Sequence, residues 1–112
     1  MPETIHVIYH RSDYDGIFCR EIARRRFPDA VFYGLEYGDV IPTIPSNEKL
    51  YLLDFSVPEL MNHPLLTWID HHKTAIDKWP EQAKRGYCID GVAACRLTWQ
   101  FFCGGALNVP TL

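Results

Sequence analysis

The chain has 112 residues, 47% of them hydrophobic, with a net charge of -3 and a pI near 5.9, which suits one α/β-sized domain around one core. That acidic balance gives no general attraction to polyanions, so long duplex DNA is not an expected partner. No apolar run approaches the roughly 18 residues of a membrane span, and the start M-P-E-T-I-H lacks the charged and apolar regions of a signal peptide, so no membrane contact and a cytoplasmic location are expected.

Residues 4–10, T-I-H-V-I-Y-H, predict a first strand in which Ile5, Val7 and Tyr9 alternate with His6, Ile8 and His10. The loop R-S-D-Y-D-G follows, and I-F-C-R-E-I-A-R-R-R-F then reads as a helix with Phe18, Cys19, Ile22 and Ala23 on its packed side. Asp15 is placed to cap this helix, Gly16 to permit a close backbone approach, and Arg24, Arg25 and Arg26 to suit its C-terminal dipole. Residues 30–33 form a second strand, parallel to the first. Between Gly34 and Glu48 the glycines and prolines leave no regular element.

Residues 49–53 give a third strand, and Ser56 with Glu59 three residues later predicts a capping box on a brief helix. Residues 65–69 give a fourth strand. The polar stretch 73–86 carries no clear element, although Thr74 or Asp77 would suit the cap of a short turn. From about Asp90 a helix runs to Cys103, with Val92, Cys95, Trp99 and Phe102 at helical spacing and Gly104 as its stop. Helix 91–103 is apolar nearly all round, so it is expected to be covered on two sides, and a homodimer would supply the second. The four cysteines form no C-x-x-C pair and read as packing groups. The fold class that emerges is a doubly wound parallel sheet with helices on both faces.

Chemistry-bearing groups gather where strands stop. The fourth strand runs straight into Asp70, His71 and His72; the first runs into R-S-D-Y-D-G, the third into Asp54, and the second into G-L-E. In an open parallel sheet those ends share one edge, where ligands bind. His10, Asp13, Asp15, Asp54, Asp70, His71 and His72 therefore form the candidate set. So many acids repel at close range unless cations neutralise them. Carboxylates with imidazoles favour Mn²⁺, with Mg²⁺ or another divalent ion as substitutes, and two ions about 3.5–4 Å apart suit displacement at phosphorus. His6 and His63 read as structural residues, and Arg24–Arg26 as a solvated helix end. Asp90 reads either as the N-cap of the last helix or as a ligand or substrate contact.

The I-D-H-H run at 69–72 resembles the DHH phosphoesterase superfamily. S-D-Y-D-G at 12–16 is similar to its first motif, L-L-D at 52–54 to its second, and D-G-V-A-A at 90–94 to the helix start that follows the triplet. The resemblance spans residues 5–103. It implies His10 and Asp13 as ligands of one metal, Asp15 and His71 as ligands of another, and Asp54 as the bridge. Asp70 would orient a histidine, and His72 would face the phosphate. Asp90, Gly91 and Val92 would let backbone amides approach the substrate. The implied activity is hydrolysis of a phosphate ester in a small molecule, a short oligonucleotide or a cyclic dinucleotide. The family's further downstream aspartate and C-terminal substrate-binding domain would lie beyond residue 112, so the domain is expected to be incomplete at that end. The alternative is a non-catalytic DHH-like domain serving as a metal-binding or oligomeric assembly module.

Overall fold

The computed structural model describes residues 3–103. Strands β1 (Ile5–His10), β2 (Val31–Leu35), β3 (Lys49–Leu53), β4 (Leu66–Asp70) and β5 (Tyr87–Cys88) form one parallel sheet in the order β2-β1-β3-β4-β5. Helices α1 (Tyr14–Arg26) and α5 (Ala94–Cys103) cover one face, while α2 (Pro58–Met61), α3 (Lys73–Lys78) and α4 (Pro80–Lys84) lie on the other. This is the expected doubly wound α/β architecture. The strand order reverses between β1 and β3, and a crevice at such a reversal opens at the C-terminal ends of the strands.

Alternation along the strands divides the core. Val7, Leu53 and Ile69 point to the α1/α5 side, whereas Ile8, Leu52 and Trp68 point to the other. The connection 36–48 is irregular, as its glycines and prolines imply, and it takes the place of a helix by burying Ile44 in the same cluster as Ile8. Among the described residues, no helix is long and apolar enough to cross a membrane.

Several local expectations need correction. The residue that caps α1 is Asp13, whose Oδ1 accepts the Gly16 amide at 2.8 Å; Asp15 is the second residue of the helix, within its first turn. Gly16, Cys19 and Ala23 form the buried face of α1, while Phe18 is 42% exposed. The reason is that α1 packs against α5, and two helices approach closely only over small side chains. The capping box at 56–59 does not form: Val57 precedes α2 without a side-chain cap, and Pro58 sets its first turn. The 73–86 stretch holds α3 and α4 in place of an irregular segment, and neither Thr74 nor Asp77 caps α3.

The last helix starts at Ala94, so Asp90 is not its cap. Its buried face is Ala94, Cys95, Leu97 and Thr98, and α1 and the sheet cover it within the chain. Thr98 joins that face because its hydroxyl is satisfied there, donating to the Ala94 carbonyl at 2.8 Å and lying 3.4 Å from Cys19 Sγ. Arg96 and Phe101 are exposed, so the helix is not apolar all round. Gly104, read as its stop, lies outside the described residues. All four cysteines are free; Cys19 and Cys95 are buried and Cys103 is exposed.

Candidate metal centre

His10 is the last residue of β1, and the chain then turns sharply into α1. That turn depends on Gly16, since a Cβ there would sit 1.8 Å from the His10 carbonyl oxygen. The turn brings Asp13 back over the strand end, so its Oδ2, not needed for capping, stands 3.3 Å from His10 Nδ1. Asp15 points the other way. Its Oδ1 accepts the Cys95 amide at 2.6 Å, and its Oδ2 accepts the Ala94 amide at 3.0 Å, so it supplies the negative charge at the N-terminus of α5 that Asp90 was expected to supply. The same Oδ2 lies 3.3 Å from His71 Nε2.

Asp54 leaves β3 with φ of +57°, a left-handed conformation that costs a non-glycine residue about 1–3 kcal/mol. Its amide still donates to the Ile69 carbonyl at 2.9 Å, so the ladder runs to the strand end before the chain departs. The side chain is 1% exposed. Oδ1 stands 3.2 Å from His71 Nε2, and Oδ2 stands 3.9 Å from His10 Nδ1. Among the described residues Oδ2 is buried with no hydrogen-bond partner, an uncommon condition that strain, a water or a bound ion explains in native proteins. Burial first, and then the charges of Asp15, Asp13 and Asp70, push the Asp54 carboxyl up to about 8. Without a cation it therefore holds a proton at neutral pH.

Asp70 is wholly buried at the end of β4, and both of its oxygens are engaged. Oδ1 accepts the His71 amide at 2.7 Å, the His72 amide at 3.3 Å and His72 Nδ1 at 2.6 Å, while Oδ2 accepts Trp68 Nε1–H at 3.2 Å. Asp70 thus shapes the turn after β4 and fixes the His72 imidazole with its Nδ1 proton inward, leaving Nε2 of an exposed ring outward.

The structure brings together all seven residues of the candidate set. Donor atoms of His10, Asp13 and Asp54 lie within 4.8 Å of one another, as do those of Asp54, Asp70, His71 and His72, and Asp54 belongs to both groups. Neighbouring donors on an ion with bonds of about 2.1 Å stand about 3.0 Å apart, close to the 3.2 and 3.3 Å that separate His71 Nε2 from Asp54 and Asp15. The donors are oxygen and imidazole nitrogen; burial pushes the Cys88 and Cys95 thiols up to about 12 and about 11, away from the thiolate form that binds metal.

Asp90, Gly91 and Val92 are not part of this convergence. They form a turn before α5, with Gly91 at φ of +85° and Asp90 exposed. Asp90 does lie near the residue after His72: the Lys73 ammonium is held up chiefly by its ion pair with Asp77 and also by Asp90. His6 and His63 are structural. His63 donates from Nε2 to the Pro45 carbonyl at 2.9 Å and accepts the Leu65 amide at Nδ1. His6 bonds Glu48 and Tyr33 at the far edge of the sheet.

The site also contains Glu36, which the candidate set omits although it follows β2 as the other acids follow their strands. Its Oε1 stands 2.7 Å from His10 Nε2. Hydrogen bonds from Ser12 and His10, with the Tyr37 amide, hold its carboxyl down to about 2. Next to it the Tyr37 ring stacks on Phe55 at 4.5 Å and meets His10 edge-on at 5.5 Å, closing one side of the crevice with aromatic surface.

Comparison of the chain with protein-family models, with curated proteins and with solved structures yields no match.

Proposed function

We propose that this α/β domain, with its two Asp/His groups sharing Asp54, is a metal-dependent phosphoesterase of the DHH type that takes two divalent cations, Mn²⁺ foremost. The observation that carries the reading is the buried Asp54 carboxylate with a partnerless oxygen, standing between a His10–Asp13 pair and an Asp15–His71 pair. Asp54 Oδ2 with His10 and Asp13 would hold one ion, and Asp54 Oδ1 with Asp15 and His71 the other. Each Asp15 oxygen has lone pairs beyond those given to the α5 amides, so capping and coordination are compatible. When bound, such ions supply the charge that lets these acids ionise together, polarise a phosphoryl oxygen and bring the pKa of water toward neutrality.

The remaining steps fall to side chains. His72, with Nδ1–H tethered to Asp70, faces a phosphoryl or leaving oxygen with Nε2 and, as an imidazolium protonated on both nitrogens, passes its Nε2 proton to the leaving oxygen, returning to the neutral Nδ1–H form. Asp70 holds the Nδ1 proton and the ring angle throughout. The Asp90–Val92 turn, beside Lys73, would face the ester. The net charge of -3 favours a small phosphate ester, a short oligonucleotide or a cyclic dinucleotide over a long polyanion.

One observation favours a second reading, a non-catalytic module: Asp15 is already used to secure α5, a role that needs no metal. Mn²⁺ stoichiometry on metal-stripped protein, paired with hydrolysis of a bis-aryl phosphodiester at neutral pH, separates the two. Two ions with metal-dependent turnover support the esterase; one ion or none, without turnover, supports the module. Within the esterase reading, His72→Ala keeps both ions and lowers turnover about 10²–10⁴-fold, the usual weight of a general acid. Equal loss of metal would remove His72 from that role.

A further inference from the structure

Glu36 is held from its own backbone outward. Its amide donates to Asp39 Oδ2 at 2.9 Å, Asp39 is paired with Arg11, and its Oε1 accepts the Tyr37 amide at 3.0 Å. That fixed oxygen meets His10 Nε2 at 2.7 Å, with Ser12 Oγ 3.0 Å from the same nitrogen. An ionised carboxylate only accepts hydrogen bonds, so the proton in this contact belongs to His10 Nε2. Nδ1 is then left with its lone pair on the side of Asp13 Oδ2 and Asp54 Oδ2, where the donor atoms converge.

We propose that Glu36 is the positioning residue of the metal-binding His10: it selects the Nε2–H tautomer, fixes the ring and makes Nδ1 a better donor toward a cation shared with Asp13 and Asp54. Imidazole ligands commonly need such a carboxylate on their other nitrogen. This rests on the reading of Asp54 as a bridge between two ions, and it adds the residue that follows β2, an edge strand that otherwise contributes nothing to the centre.

The fold contains its own control. His6 lies four residues before His10 on the same face of β1, and its Nε2 meets Glu48 at 2.6 Å. Glu36 and Glu48 are the two ends of the connection 36–48, and each pins that connection to a histidine of β1. A purely structural role would be common to both acids. Only Glu36 acts on a histidine whose other nitrogen faces carboxylates.

The test is calorimetric titration of Mn²⁺ into the metal-stripped full chain, comparing the wild type with Glu36→Gln, Glu48→Gln and Asp54→Asn, with thermal unfolding of each. The wild type should take two ions. Glu36→Gln should weaken one of them about 10–100-fold and spare the other; Glu48→Gln should leave both affinities unchanged while lowering Tm; Asp54→Asn should weaken both. Unaltered Mn²⁺ affinity in Glu36→Gln, or equal losses in the two glutamine variants, would overturn the role of Glu36 while the Asp54 result leaves the two-ion reading standing. No Mn²⁺ on the wild type would overturn both together. The ring ¹⁵N shifts of His10 in the unaltered protein give a check that needs no variant: an Nε2-protonated ring is required, and an Nδ1-protonated one would sink the proposal.

Discussion

A carboxylate that is 1% exposed, on a left-handed backbone and beside three other acids, is costly to ionise without a cation. The ordinary aspartate value is about 3.9, and Asp54 is raised to about 8. A raised carboxyl gives a contribution that is fully present below the unfolded value and is lost as pH climbs through the folded one. Metal-stripped protein should therefore lose stability from Asp54 between about pH 4 and pH 8. Asp54→Asn removes that dependence, and thermal unfolding of stripped protein at pH 8 should show the variant at least about 4 °C above the wild type, the shift that about 1 kcal/mol produces in a domain of this size. At pH 5 the difference should shrink. With Mn²⁺ at about 100 times its Kd the order should reverse, since ligation adds about 2.7 kcal/mol per ion to the wild type and less to a variant that binds both ions more weakly. A variant no more stable than the wild type at pH 8 would mean that Asp54 is not under the strain its surroundings imply.

At the scale of elements, the turn from β1 into α1 depends on Gly16, which packs directly on the end of the strand. A Cβ at Gly16 would meet the His10 carbonyl, which is backbone and cannot rotate away. Gly16→Ala should therefore cost about 1–3 kcal/mol in urea unfolding and also weaken Mn²⁺ binding, because His10 and Asp13 lie on either side of that contact. A stability loss with intact metal affinity would detach the turn from the centre. These elements differ in how plainly they can be read in the chain. β1, β3 and β4 carry long apolar or alternating runs that end at acids, and that pattern identified seven converging side chains. Glu36 was passed over, although the second strand runs into G-L-E, because the short β2 is followed there by a single acid, without the density of acids that marks the others. β5 has two residues and exists by pairing with Ile69 and Asp70, a tertiary cause with no local trace. α5 misled through Thr98, a polar residue on a buried face, and through Asp90, whose expected charge comes instead from Asp15, distant in the chain.

At the scale of the molecule, a parallel sheet with a reversal at β1/β3 carries residues from positions 10 to 71 to one edge. The same topology makes nearly every strand pairing non-local, so folding should be slower than that of a helical domain of this length. Asp15 spans the longest interval, gripping amides 79 and 80 residues further on. Helices α1 and α5 are thus joined by a group that also faces the candidate centre. In kinetic terms that joint is expected to act as a latch that closes once the strands between them have paired. Asp15→Asn, followed by stopped-flow unfolding and refolding of metal-stripped protein in urea, should steepen escape from the native state while leaving the refolding rate nearly unchanged, as for contacts made after the transition state. Slowed refolding would place the α1–α5 joint in the nucleus. On a partly synthesised chain that lacks α5, Asp15 would have neither of these amides to hold it, so the candidate centre would be without one of its fastened donors.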